Sequence, residues 1–285
     1  MIGMPLPKNT WRLLINEPSS GAKNMAIDEA IVEAVGRGEA PPTLRLYAWA
    51  PPCLSLGHAQ PVADVSLDAL KERGWDLVRR PTGGRAILHA DELTYSVCGL
   101  SSDPRLEGGV LSSYRVLSRA LLRALQLIGI EAEARENQQL ANASNQRKSG
   151  SDQNPVCFEE SSDYEITYLR KKLIGSAQAR RKETVLQHGS LPLYGDLTRI
   201  VQVLHIKDDL ERDDAARRLQ ARATSVEQAL GRKITWEYAA QAFVSAFAET
   251  LNLEFRSGTL SQAEIDRADN LVDEKYANWT WTGRI

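Results

Sequence analysis

The sequence predicts a mixed α/β (α+β) fold with helical additions at the C-terminus, and three observations carry that reading. Short strand-like apolar runs alternate with amphipathic helical stretches as far as Asp196. After Asp196 the pattern is helical. No repeat or linker sets off a second domain, and 42% apolar residues in a chain of 285 supply a sizeable core.

Trp11 to Ile15 reads as the first strand. Ser19 and Ser20 offer N-caps to a helix whose apolar positions run from Met25 to Val35 and which stops at Gly36 and Gly38. Thr43 to Trp49 is a strand, broken by Pro51 and Pro52 and resumed over Cys53 to His58. Ser66 caps a short helix through Leu70. Trp75 to Arg80 and Arg85 to His89 are strands on either side of a glycine loop, and Leu93 to Leu100 is another. Val110 to Ile130 carries the longest helix of the first half.

Glu136 to Gln153 is rich in Asn, Gln, Ser and Lys and has almost nothing to bury, so 136–155 is expected to be a mobile loop of the kind that serves as a lid. Tyr164 to Tyr168 and Lys172 to Ala177 then form a hairpin through Leu169, Arg170 and Lys171, and Val185 to Leu193 is the next strand. Helices are expected over Leu197 to Val203, Asp209 to Leu219, Ser225 to Leu230 and Trp236 to Leu251, the last capped by Thr235. Ser261 and Glu264 have capping-box spacing and open a final helix ending near Tyr276. Residues 1–250 thus make the body of the domain and 251–285 a helical extension.

A net charge of −2 argues against bulk nucleic-acid binding or attachment to anionic membrane. No apolar run approaches the roughly 18 residues of a membrane span, and Met1 to Asn9 has no apolar core of a signal peptide. The three cysteines, Cys53, Cys98 and Cys157, fit neither a disulfide framework nor a metal knuckle. The expectation is a protein of the reducing cytoplasm with no metal and no cofactor.

The stretch best suited to meet a ligand is chemically distinctive. Arg79 and Arg80 enter a turn through Pro81, Thr82, Gly83 and Gly84, and Arg85 leads out of it to His89. Two positions without Cβ let a ligand reach main-chain N–H groups, and the arginines add forked donors. By itself Pro81 to Gly84 also suits a hairpin turn with solvated arginines. Cys53 and Cys98 sit inside apolar strand patterns and read as small buried residues. Cys157 instead follows Pro155 at the exit of the polar loop, where a thiol is reachable.

Arg79–Gly84 resembles the arginine–glycine signature of the lipoate-protein ligase, octanoyltransferase and biotin-ligase superfamily. Further blocks match in the same order: Leu44 to Trp49 with Ser55 to Gly57, then Lys172 to Ala177, then Leu186 to Ser190. Adenylate-forming ligases usually carry a third glycine where this chain has Arg85, and typically His-Asp where it has His89 and Ala90. Arg85, His89, Glu92 to Ser96 and Pro155 to Glu159 look more like LipM-type octanoyltransferases.

The resemblance implies a single mixed-sheet catalytic domain of the biotin/lipoate ligase type. It implies an octanoyltransferase that takes octanoyl from acyl carrier protein onto Cys157 and passes it to a lysine of a glycine-cleavage H protein or an E2 lipoyl domain. Thiol and thioester are alike in energy, so no ATP is needed; the thiolate is the attacking form. Lys172 is implied at the acyl carbonyl, where an ammonium stabilises the oxyanion. Arg79, Arg80, Thr82, Gly83, Gly84, Arg85, His89, Gly175, Ser176, Ala177 and His188 are the implied substrate-binding residues. His89 and His188 suit either a base or a structural role. The run Arg180, Arg181 and Lys182 suits a solvated face, or a basic rim for an acidic carrier. The rival readings are an ATP-dependent lipoate ligase, an octanoyl amidotransferase acting between lipoyl domains, and a non-catalytic lipoyl-domain binder.

Overall fold

A computed structural model describes residues 5–136 and 164–285. The expected loop over 136–155, apart from Glu136, lies outside the described residues, and so does Cys157. The chain runs through β1 (Asn9–Ile15), α1 (Gly21–Gly36), β2 (Thr43–Tyr47), β3 (Cys53–Leu56) and α2 (Leu67–Glu72). It continues with β4 (Asp76–Arg79), β5 (Ile87–His89), β6 (Glu92–Leu100), α3 (Val110–Ile128) and β7 (Glu133–Glu136). The second described segment holds β8 (Tyr164–Tyr168), β9 (Lys171–Arg181), β10 (Thr184–Pro192), α4 (Asp209–Arg222), α5 (Val226–Leu230) and α6 (Trp236–Leu251). Last come β11 (Leu253–Ser257), α7 (Gln262–Leu271), a π turn over Val272–Tyr276 and α8 (Trp279–Thr282).

The larger sheet has the strand order β11-β1-β2-β6-β10-β9-β8-β7, parallel at the β11-β1-β2 end and antiparallel from β2 onward. Strand alternation divides its side chains between two cores. Leu93, Tyr95 and Val97 of β6 face α3 and α6, where they meet Leu117, Leu121, Phe243 and Phe247. Cys98 of β6 and Leu186 of β10 belong to the core under α1, with Met25, Ile27 and Ile31. Local signals set the helix ends: Ser20 accepts from Lys23 N, Gly129 ends α3 at φ 100°, and Ser261 with Glu264 forms a complete capping box.

The chain after Pro51–Pro52 does not resume the strand it left. β3 is the centre of a separate three-stranded sheet, β4-β3-β5, parallel to β4 and antiparallel to β5. The strands flanking the glycine loop therefore pair with β3 rather than with each other, and the loop is not a hairpin turn. The β8–β9 turn is shorter than expected: Leu169 and Arg170 carry φ 46° and 67°, and Lys171 is already in the strand. The segment expected to be helical over Leu197–Val203 is a 3₁₀ helix. β7 and β11 were not expected. Both are edge strands of the large sheet, where one side of the ladder is unpaired and an apolar alternation is not required.

Candidate active site

Asp28 faces inward from α1 and is fully buried. Its Oδ1 accepts from Arg45 Nη1 at 2.8 Å and from Ser96 Oγ at 2.8 Å, and its Oδ2 from the Tyr47 hydroxyl at 2.9 Å. Arg45 also donates to Asn24 O, Asn24 Oδ1 and Asn16 Oδ1. Burial alone would raise the Asp28 pKa, but the Arg45 charge and the bonds to its carboxylate outweigh it and hold the group below its ordinary value. A buried charge pair held by this many bonds is a rigid fixture.

That fixture orients His188. Nδ1 of His188 lies 3.6 Å from Asp28 Oδ2, and its Nε2 is 2.7 Å from Thr82 Oγ1 in the glycine loop. Burial lowers the His188 pKa, and the attraction of Asp28 offsets only part of that. The ring is neutral at pH 7 and one nitrogen is available to accept a proton.

A second histidine repeats the arrangement. His89 Nδ1 is 2.7 Å from Glu92 Oε1, and its Nε2 is 2.7 Å from Ser55 Oγ. A carboxylate can only accept, so Nδ1 carries a proton. Trp49 stacks on the imidazole with centroids 4.0 Å apart, and its indole N–H is fixed on Thr94 Oγ1 at 2.7 Å. Arg80 donates to Ser55 Oγ at 3.1 Å and to Ser55 O at 2.9 Å.

Both imidazoles open on one cavity of about 210 Å³, lined mainly by apolar groups. Met25, Tyr47 and Trp49 form one wall, and Val110, Leu111 and Tyr114 of α3 another. Gly175, Ser176 and Ala177 of β9 with Gly189 and Ser190 of β10 complete it, and Gly83 and Gly84 close the loop side. Small residues are required here: a Cβ on Gly189 would lie 2.6 Å from both Gly175 O and Ser176 Oγ. Gly84 has φ +91°, and a Cβ on Gly57 would meet Gly84 O at 1.8 Å, so the loop backbone lies directly on Gly57. Arg80 pins that loop by donating to Gly83 O and Arg85 O.

The profile of the lipoyl protein ligase A/B catalytic domain matches residues 20–248. The protein belongs to this family. Among its relatives are octanoyltransferase LipM of Symbiobacterium thermophilum, 39% identical over 97% of this chain and 99% of the relative, and octanoyltransferase LipM of Kyrpidia tusciae, 40% identical over 96% and 99%. Among solved structures it is similar to a bipartite lipoate protein ligase of Thermoplasma acidophilum (TM-score 0.79, 26% identity, 97% of each chain). It is also similar to a lipoate-protein ligase A bound with ATP (TM-score 0.75, 26% identity, 97% of this chain and 100% of that one).

In this lipoyl protein ligase A/B domain the expected site residues divide. Arg80, Gly83, Gly84, His89, Gly175, Ser176, Ala177 and His188 line the cavity, and Thr82 reaches it through His188. Arg79 does not reach it. Its guanidinium is buried and donates to the carbonyls of Gly57, Gln60 and Thr282, tying the loop after β3 to the C-terminus. Arg85 lies on the far side of the glycine loop. Lys172 is 3% exposed, and its Nζ is 3.0 Å from Glu165 Oε1 across the β8–β9 pair.

The expectation of a solvated face over Arg180–Lys182 is corrected for Arg180 alone; Arg181 is exposed although it also makes an ion pair. Arg180 donates to Leu106 O, Ser113 Oγ and Gln178 Oε1, and Arg181 pairs with Glu29 at 3.0 Å. Cys53 and Cys98 are buried, and burial pushes both thiols well up, as suits small core residues. His205 is exposed, its Nδ1 on Ala63 O. Among the described residues no group of three or more His, Cys, Asp or Glu could hold a metal ion, and no helix is long and apolar enough to cross a membrane.

Sequence reasoning passed over Asp28, Arg45, Ser55, Trp49 and Glu92 as functional residues. The available signal was a charge inside an apolar pattern: Asp28 between Ile27 and Ala30, and Arg45 between Leu44 and Leu46. A charged residue at such a place needs a buried partner.

Proposed function

We propose that the protein is an octanoyltransferase of lipoate biosynthesis, moving octanoyl from acyl carrier protein, through a thioester on Cys157, to a lysine of an H protein or an E2 lipoyl domain. Relatives of that name are similar over nearly the whole chain. The observation that carries the reading is a mainly apolar cavity with two hydroxyl-bonded histidines in its wall. Each methylene removed from water there contributes about 0.8 kcal/mol, so a saturated chain is the natural occupant.

In the first step the Cys157 sulfur bonds to the acyl carbon and the C–S bond to the carrier breaks, the carrier thiol leaving with the proton given up by Cys157. In the second, the neutral acceptor amine bonds to the same carbon, the Cys157 thioester breaks, and the amine's proton returns the cysteine to its thiol. Neutral His188 is suited to relay these protons. We assign Lys172 to the acyl oxygen because it is buried and opens the family block Lys172 to Ala177, whose Gly175, Ser176 and Ala177 line the cavity. The reducing cytoplasm is the compartment that would keep the Cys157 thiol free.

The likeness to a ligase bound with ATP makes adenylate chemistry the rival. The test is transfer from octanoyl carrier protein to an apo-lipoyl domain without nucleotide, beside free octanoate with ATP. Nucleotide-free transfer is expected, with one octanoyl mass on the peptide containing Cys157 when the acceptor is withheld. Activity confined to octanoate plus ATP would hand the site to the ligase reading, and full turnover by Cys157→Ala would end the two-step mechanism. Lys172→Ala should slow transfer about a hundredfold or more, while Lys171→Ala, whose ammonium sits on Gln220 O, should do little.

A further inference from the structure

The glycine loop has two sides. Opposite the apolar cavity lies a second one of about 550 Å³, and the two share Gly83, Gly84 and Gln178 as their partition. Its chemistry is different. Arg85 borders it from the loop, Arg180 and Arg181 from the end of β9, and His58 from the segment after β3. For Arg180 the described partners are a carbonyl, a hydroxyl and an amide, none of them a carboxylate. Arg181 has Glu29, yet its side chain remains half exposed. His58 responds to the same field, its pKa lowered by burial and then by Arg284, Arg181, Arg79 and Lys275. At the partition a Cβ on Gly83 would meet nothing within 4 Å, so the backbone there carries no side chain and has none packed against it.

An apolar cavity and a basic one that share a wall of bare backbone match a ligand with an apolar tail, a polar stem and an anionic end. We propose that the basic cavity binds the phosphopantetheine arm of the thioester donor, with its phosphate on Arg85 and Arg181, the acyl chain in the apolar cavity and the thioester beside Gly83 and Gly84. This rests on the octanoyltransferase reading for its donor class. Arg181 holds the outer position, where its guanidinium can turn from Glu29 to phosphate while Lys275 and Tyr276 still neutralise and bond Glu29.

The experiment is equilibrium binding of 4′-phosphopantetheine and of pantetheine to the full chain, without acyl group or acceptor. The phosphorylated ligand is expected to bind about tenfold or more tightly, the effect of a charge-assisted contact. Arg85→Gln with Arg181→Gln should abolish that difference while leaving pantetheine affinity within about twofold, and Arg181→Lys should restore part of it. Equal affinity of the two ligands for the native protein overturns the proposal, as does a phosphate preference that survives the double substitution. Because no transfer is measured, failure here leaves nucleotide-free transfer as a separate question, and failure of transfer leaves this binding result standing.

Discussion

Asp28 and Arg45 are the residues on which the cavity wall depends most heavily. Both are 0% exposed and each is the other's countercharge, so removing one leaves an unpaired ion in the core. Asp28→Asn is expected to destabilise the fold by about 3 kcal/mol or more, read from urea unfolding; a loss under about 1 kcal/mol would mean that Arg45 finds another partner. His188 adds a pH dependence of known sign. Its folded pKa lies below the ordinary 6.5, so between the two values the unfolded chain binds more protons than the native one. The stability it contributes is complete above 6.5 and is lost as pH falls from there toward the folded value. Unfolding free energies across about pH 5 to 8 should show that fall, and His188→Gln should flatten it. An unchanged slope in His188→Gln would place the titration elsewhere, His58 being the next candidate because its pKa is lowered as well.

At the scale of elements, the glycine loop is held by contacts that two glycines with different demands make possible. Gly57 exists for packing: its missing Cβ is the space occupied by Gly84 O. Gly83 makes no such demand on its surroundings. Gly57→Ala should therefore cost about 1–3 kcal/mol through displaced backbone, whereas Gly83→Ala should stay within about 0.5 kcal/mol in the same thermal or chemical melts. Comparable losses from both would show that the loop is fixed by its own conformation rather than by its seat on Gly57. The loop's other anchor is Arg80, whose guanidinium holds Gly83 O, Arg85 O and Ser55 at once and so links the loop to the Ser55–His89 pair.

At the scale of the molecule, the C-terminal segment is a clasp between the small sheet and α1. Lys275 and Tyr276 bond Glu29 of α1, the Trp281 indole donates to Arg79 O at 2.8 Å, and Arg79 donates twice to Thr282 O. Val62 N bonds Ile285 O, and Arg284 donates to His58 O. Ending the chain after Tyr276 would remove two of the bonds of a buried guanidinium and the indole that meets its carbonyl. Amide exchange is expected to quicken over Gly57–Gln60 and Arg79–Gly84 in that truncation, with β6 and β10 unchanged. Unaltered protection around Arg79 would show that the clasp is dispensable.

The same scales separate what each level of information decides. Caps, glycine stops and apolar periodicity depend on residues a few positions apart, so α1, α3, α6, α7 and the strands from β1 to β6, β8 and β10 were legible in the sequence near their observed bounds, while β9 runs four residues beyond the expected Ala177. The edge strands β7 and β11 were not, since Glu133–Glu136 is mostly charged and β11 buries only Leu253 below the exposure of a core residue. Family blocks brought His89, His188, Gly83, Gly84 and Gly175–Ala177 to attention, and these line one cavity. Only the tertiary structure decided that Arg79 faces a C-terminal carbonyl while its neighbour Arg80 faces Ser55, because successive strand residues point to opposite sides and the sequence does not say which side is the cavity. Only it joined Asp28, Arg45, Thr82 and His188, which come from four separate segments. Local pattern records which residues must be buried; which buried charge meets which is set by the packing of distant elements, and no short stretch of sequence contains that information.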